Sequence, residues 1–130
     1  MIARNLVYYT VFGDDAYCDN ARLSIDALRR FGNFTGEVLV FSDRPFHYPD
    51  VANRVVPLPD SNETVKIRIT CYHHFPFSDY DRVLFLDSDI LTCRDVSDLL
   101  ACDDTFMYFP QDDRYCTTGV IDALYFDALT

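Results

Sequence analysis

Lysine is almost missing from this chain. Lys66 is the only one in 130 residues, and lysine and arginine together number 11 against 21 acidic side chains, a net charge of −10 with histidine neutral. Such a balance repels nucleic acid and anionic membrane surfaces, so neither is expected as a partner. The five cysteines, Cys18, Cys71, Cys93, Cys102 and Cys116, form an odd set, and no two are spaced as C-x-x-C or in any pattern typical of a zinc site. They read as free thiols of a reducing cytoplasm. No apolar run reaches the length of a membrane span. The stretch Leu6–Phe12 is too short, lacks a small-residue cleavage site and reads as a buried strand. Repeats, linkers, low-complexity segments and composition shifts are absent too, so residues 1–130 are expected to form one domain. A chain of this length buries roughly two-thirds of its unfolded surface and needs no disulfide or structural metal to hold a core. Asn33-Phe34-Thr35 and Asn62-Glu63-Thr64 match the glycosylation acceptor pattern, which matters only for a secreted chain.

What is present is an alternation of strand and helix signals. Leu6–Phe12 is a continuous β-branched and aromatic run stopped by Gly13-Asp14-Asp15, as expected of a strand covered on both faces. A helix follows, with Cys18-Asp19-Asn20 as its polar cap, Ala21, Ile25 and Leu28 at helical spacing, Arg29-Arg30 in its last turn and Gly32 as its stop. Strands are expected at Glu37–Phe41 and Asn53–Leu58, and a helix at Thr64–Phe75. The clearest strand is Arg82–Leu86, followed by a short helix at Asp95–Ala101 and a strand at Thr105–Phe109. This order predicts an α/β fold with a mainly parallel sheet flanked by helices. Residues 120–130 are strongly apolar without a cap or polar tail, which predicts an incomplete domain and makes Ile121–Leu129 a candidate surface for homodimerisation.

The informative segment is Tyr80-Asp81-Arg82-Val83-Leu84-Phe85-Leu86-Asp87-Ser88-Asp89-Ile90-Leu91. Ligands of open α/β sheets sit outside the carboxyl ends of strands, and a buried strand finishing in Asp-Ser-Asp places two carboxylates there. If strand geometry persists through Ser88, Asp87 and Asp89 point the same way and can share one hard divalent cation, which in turn can hold a diphosphate. In an acidic chain, a carboxylate-bound metal accepts an anionic substrate without a basic cleft. A solvated acidic turn after a strand is the alternative.

Thr10 lies at the end of the first strand and Tyr17 after it, Val38-Leu39-Val40-Phe41 of the second strand runs into Ser42-Asp43, Lys66-Ile67-Arg68 comes next, and the strand that ends in Asp87-Ser88-Asp89 completes the series. In this order they resemble a GT-A-fold glycosyltransferase of the glycogenin and galactosyltransferase type. The resemblance implies a three-layer GT-A domain and metal-dependent transfer of a sugar from a nucleotide-sugar, of uridine type, to an unknown acceptor. It makes Asp87 and Asp89 the DxD ligands of Mn²⁺ or Mg²⁺ and puts Ser88 near the ribose. Thr10, Val11 and Phe12 would lie beside the nucleobase, and Tyr17 would stack on it. Lys66 or Arg68 would face the phosphate or sugar, with a solvated helix face as the alternative for that pair. Thr117-Thr118-Gly119 stands where the family has Asn-Ala-Gly beside the donor sugar, and Thr117 departs from it, since threonine lacks the amide's reach. The family's third metal ligand, a later histidine, has no counterpart here. His47, His73 and His74 all precede Asp87, and the last two read as helix-end residues. The resemblance assigns no catalytic residue.

Two rival readings are available. Asp87-Ser88-Asp89 is also similar to the motif of haloacid-dehalogenase-type phosphatases, in which Asp87 would be the nucleophile. That motif opens its domain and has Thr or Val two residues past the second Asp, where this chain has Leu91. A non-enzymatic nucleotide-binding or receiver-like domain is the other; Asp14-Asp15 and Asp43 at strand ends suggest a receiver, but a receiver needs a lysine after a late strand, and Lys66 comes too early.

Overall fold

The computed structural model describes residues 3–56 and 75–101. Among them, β1 (Asn5–Val11) leads into α1 (Asp15–Arg30), then β2 (Glu37–Ser42) and β3 (Ala52–Val55). A 3₁₀ turn at Phe77–Asp79 precedes β4 (Arg82–Phe85), and α2 (Ser97–Leu100) comes last. The described strands form one parallel sheet in the order β3-β2-β1-β4. This is an α/β architecture. β1 lies inside the sheet, with Leu6–Val11 opposite Glu37–Ser42 on one side and Asn5–Tyr8 opposite Arg82–Phe85 on the other.

The position of β1 explains its unbroken apolar run. Successive side chains of a strand point to opposite faces, so a strand covered on both must be apolar at every step. Val7, Tyr9 and Val11 enter a core with Ala21, Ile25 and Leu28 of α1, with Val96 and Leu100 packed against it. Leu6 and Tyr8 face the other way, with Leu39 and Phe41. That second face carries an aromatic cluster. The Tyr8 ring lies 5.0 Å from Phe77, 5.1 Å from Phe85 and 5.9 Å from Phe41, and Phe75 stacks on Tyr80 at 5.9 Å. Tilted and edge-on pairs of this kind add about 0.5–1.5 kcal/mol each beyond simple burial.

Several boundaries depart from the sequence expectation. α1 begins a turn earlier than Cys18-Asp19-Asn20, because the Asp14 carboxylate caps it by accepting from the Ala16 N–H at 3.1 Å. Cys18 is instead buried. At the other end Gly32 is not the left-handed residue; Asn33 is, at φ 53°. Gly32 is required by close approach, since a Cβ there would stand 2.5 Å from the Leu28 carbonyl oxygen and 2.9 Å from the Thr92 methyl. Phe75 is not helical; it belongs to the bend before the 3₁₀ turn. The rest of the helix expected at 64–75 lies outside the described residues, as do the strand expected at 105–109, the segment 120–130 and the second acceptor triplet. No helix among the described residues is long and apolar enough to cross a membrane.

Candidate functional site

The sheet order reverses beside β1. The chain proceeds from β1 to β2 and β3 on one side, then returns to place β4 on the other. In open α/β sheets such a reversal opens a crevice at the carboxyl ends of the two strands, here β1 and β4. Residues 10–12 and 86–89 are what these strand ends present.

On the β4 side, the Leu86 N–H donates to the Tyr8 carbonyl at 3.1 Å and carries the ladder one residue past the strand. The chain then turns. The Ile90 N–H donates to the Asp87 carbonyl at 3.1 Å, with Ser88 and Asp89 at the corner. This corrects the condition under which alternation would aim both carboxylates alike, because extended geometry does not persist through Ser88. The spacing of Asp87 and Asp89 is set by a tight turn instead. Asp87 and Ser88 are half-buried and Asp89 is exposed. Two carboxylates are hard oxygen donors and suit Mg²⁺ or Mn²⁺, with remaining coordination positions left to water or a diphosphate. No group of three or more acidic, histidine or cysteine side chains suited to a metal occurs among the described residues.

On the β1 side, Thr10 and Phe12 are half-buried at the strand end, and Phe12 packs against the aromatic cluster. Val11 is different. At 2% exposure its side chain belongs to the α1 core, so only its backbone can line a ligand. Gly13 takes φ 99°, and the Tyr17 ring, half-exposed on the first turn of α1, lies beside it. An exposed aromatic face next to a bare backbone turn is suited to stacking on a planar ring.

Two residues at this edge were not singled out from sequence as site members. Asp43, just past β2, accepts from the Gly13 N–H at 3.4 Å. Its other oxygen, Oδ1, is buried without a hydrogen bond, although Arg44 Nε approaches to 3.5 Å. Arg44 also donates to the Gly13 carbonyl and pairs with Asp15 at 2.7 Å. The neighbouring Asp43 carboxylate, with Asp15 behind it, pushes the guanidinium pKa up. Together these groups clip the β1–α1 turn to the end of β2. In sequence, Ser42-Asp43-Arg44-Pro45 marks the end of a strand and does not reveal these partners.

Beyond the acidic turn the chain runs as a strap beside α1. Ile90 meets Ser24, the Thr92 methyl lies against Gly32, and the Val96 N–H donates to the Gly32 carbonyl at 3.0 Å. Asn33 donates to Asp95 at 3.1 Å. Of the remaining expected site residues, Lys66, Arg68, Thr117, Thr118 and Gly119 lie outside the described residues, as do His73 and His74. His47 borders a groove of about 540 Å³ with Phe46, Tyr48 and Asn53, away from the acidic turn. Compared with models of known protein families and with curated proteins, the chain finds no match.

Proposed function

We propose that this chain is a nucleotide-sugar-binding domain of a metal-dependent glycosyltransferase of GT-A type. The observation that carries the reading is placement. The acidic turn Asp87-Ser88-Asp89 sits at the carboxyl end of β4, beside the β1 end that bears Thr10 and Phe12, and Tyr17 follows on the first turn of α1. In this reading Asp87 and Asp89 hold Mn²⁺ or Mg²⁺, Ser88 faces the ribose, and Tyr17 stacks on the base above Gly13. Thr10, the Val11 backbone and Phe12 form the floor of that base site. A divalent cation bound there supplies Lewis-acid stabilisation of a leaving diphosphate. The chain's own part is to orient the donor and to keep the two carboxylates together in an otherwise anionic surface. By resemblance to the family's motifs, Lys66 or Arg68 would face the phosphate or sugar and Thr117-Thr118-Gly119 would contact the donor sugar.

Calorimetric titration with a uridine-type nucleotide-sugar tests the reading. Binding is expected with Mn²⁺ or Mg²⁺ and is expected to vanish in excess EDTA. Asp87→Asn or Asp89→Asn is expected to abolish the metal dependence while leaving the fold intact, because both residues lie at a sheet edge rather than in the core. Equal donor affinity with and without metal would overturn it.

A further inference from the structure

A polar chain crosses the α1-facing core from β1 to the acidic turn. Tyr9 and Ser24 are both fully buried, at 0% exposure. The Tyr9 and Ser24 hydroxyl oxygens lie 2.9 Å apart, and Ser24 Oγ lies 2.5 Å from the Ile90 carbonyl oxygen. The direction of this relay follows from proton count. A carbonyl can only accept, so the single Ser24 hydroxyl proton goes to Ile90, and Tyr9 must donate to Ser24. Burial agrees with this assignment, pushing the Tyr9 phenol up to about 12 and keeping it a donor.

The relay reaches the strap at the closing residue of the turn. Ile90 uses its N–H to close the bend on the Asp87 carbonyl and its own carbonyl to receive Ser24. Both ends of that one residue are therefore held, one by the turn and the other by α1. Buried hydroxyls inside an otherwise apolar core are costly unless paired, and an alanine at Ser24 would leave two polar groups without their partner at once.

We propose that Tyr9 and Ser24 are positioning residues for Asp87 and Asp89, fixing the turn so that its two carboxylates are set for one divalent cation. The proposal rests on the reading of that turn as a metal site. Groups that orient metal ligands from outside the coordination sphere commonly change affinity by about 10–100-fold when removed. The relay ranks its members. Ser24→Ala breaks the contact with Ile90 and should have the larger effect, whereas Tyr9→Phe leaves the Ser24–Ile90 bond in place and should have the smaller one.

The test is Mn²⁺ binding by the full chain, followed by electron paramagnetic resonance and calorimetry without any sugar donor, together with amide hydrogen exchange at Ile90. Ser24→Ala is expected to weaken Mn²⁺ by about 10-fold or more and to speed Ile90 exchange, with Tyr9→Phe showing a smaller loss in the same direction. Ile25→Val, a core change on the same helix that leaves the relay untouched, is expected to leave Mn²⁺ affinity unchanged. If Asp87→Asn abolishes binding while Ser24→Ala and Tyr9→Phe both bind like the parent, the positioning role is overturned and the metal reading stands. If the parent and Asp87→Asn bind Mn²⁺ alike, the metal reading falls and the proposal with it. Should Ser24→Ala fail to fold, Tyr9→Phe alone decides, and parent-like affinity in it overturns the relay.

Discussion

Gly32 is where the strap meets the end of α1, and Gly32→Ala should expose how tightly that junction is built. A Cβ at this position would stand 2.5 Å from the Leu28 carbonyl oxygen and 2.9 Å from the Thr92 methyl, both nearer than real Cβ atoms tolerate. The first neighbour is backbone and cannot step aside without disturbing the last turn of α1. Overpacking of this kind costs about 1–3 kcal/mol. Pushing the strap away also strains the hydrogen bond from Val96 N–H to the Gly32 carbonyl, worth about 1 kcal/mol. The expected loss is therefore about 2–4 kcal/mol, a large share of a typical ~5–15 kcal/mol stability. Urea unfolding followed by far-ultraviolet circular dichroism would register it as a midpoint lowered by about 1–2 M, taking a slope of about 2 kcal/mol per molar. Thr92→Ser removes the clashing methyl while keeping the hydroxyl, so in the Gly32→Ala background it should restore part of the loss. The Leu28 carbonyl contact limits that rescue. Gly32→Ala within about 0.5 kcal/mol of the parent, an ordinary surface effect, would refute the reasoning, as would a Thr92→Ser partner that restores nothing.

Gly13→Ala should behave differently: the nearest atoms to its Cβ are those of the Tyr17 ring at 3.8 Å, an ordinary contact, so its cost of about 1–2 kcal/mol is conformational and Thr92→Ser will not relieve it in a double-mutant unfolding comparison. Tyr9, with its phenol pushed up by burial from 10.0 to about 12, adds stability that is complete below pH 10 and is lost as pH rises towards 12; Tyr9→Phe should flatten alkaline unfolding measured by tyrosinate absorbance. The Asp95 carboxyl is held below its ordinary range by hydrogen bonds from Ser97 and Asn33, so Asp95→Asn should destabilise the fold at neutral pH. That difference should fade as pH falls through the lowered Asp95 value, as urea midpoints across an acid series would report. Site-resolved alkylation should modify exposed Cys93 well before Cys18, which is buried and whose thiol that burial pushes up.

The features legible in the sequence are those that one residue type decides alone. The unbroken run of β1 announces a strand covered on both faces, and the parallel pairing of β1 with β2 follows from the helix set between them. Local competition hid the rest. Gly13-Asp14-Asp15 reads as a turn, yet Asp14 is the helix cap, because a short acidic side chain serves either role. Gly32 reads as a helix stop through backbone freedom, whereas its requirement is a neighbour distant in sequence, Thr92. Asp43 and Arg44 gain their partners Gly13 and Asp15 only when β1 and β2 pair, so no local pattern marks them. The acidic pair was visible as composition at a strand end. That Asp87 closes a turn with Ile90, and that Ser24 anchors this turn, depends on a contact spanning 66 positions.

The place of β1 inside the sheet has a consequence for how the protein is made. Arg4, just before β1, meets Asp81, just before β4, across 77 positions of chain. At about 5–20 residues per second of synthesis, β1 waits roughly 4–15 s for that partner after it emerges. β2 arrives earlier and satisfies only one side of it, and β3 adds to β2 rather than to β1. In that interval the other side of β1 offers a row of unpaired backbone groups flanked by Leu6, Tyr8 and other apolar side chains, a template for pairing with another nascent chain. Late closure of such a non-local pair also slows folding itself. Yield of soluble protein should therefore respond to translation rate and to chaperones that shield strand edges more than to the final stability of the sheet.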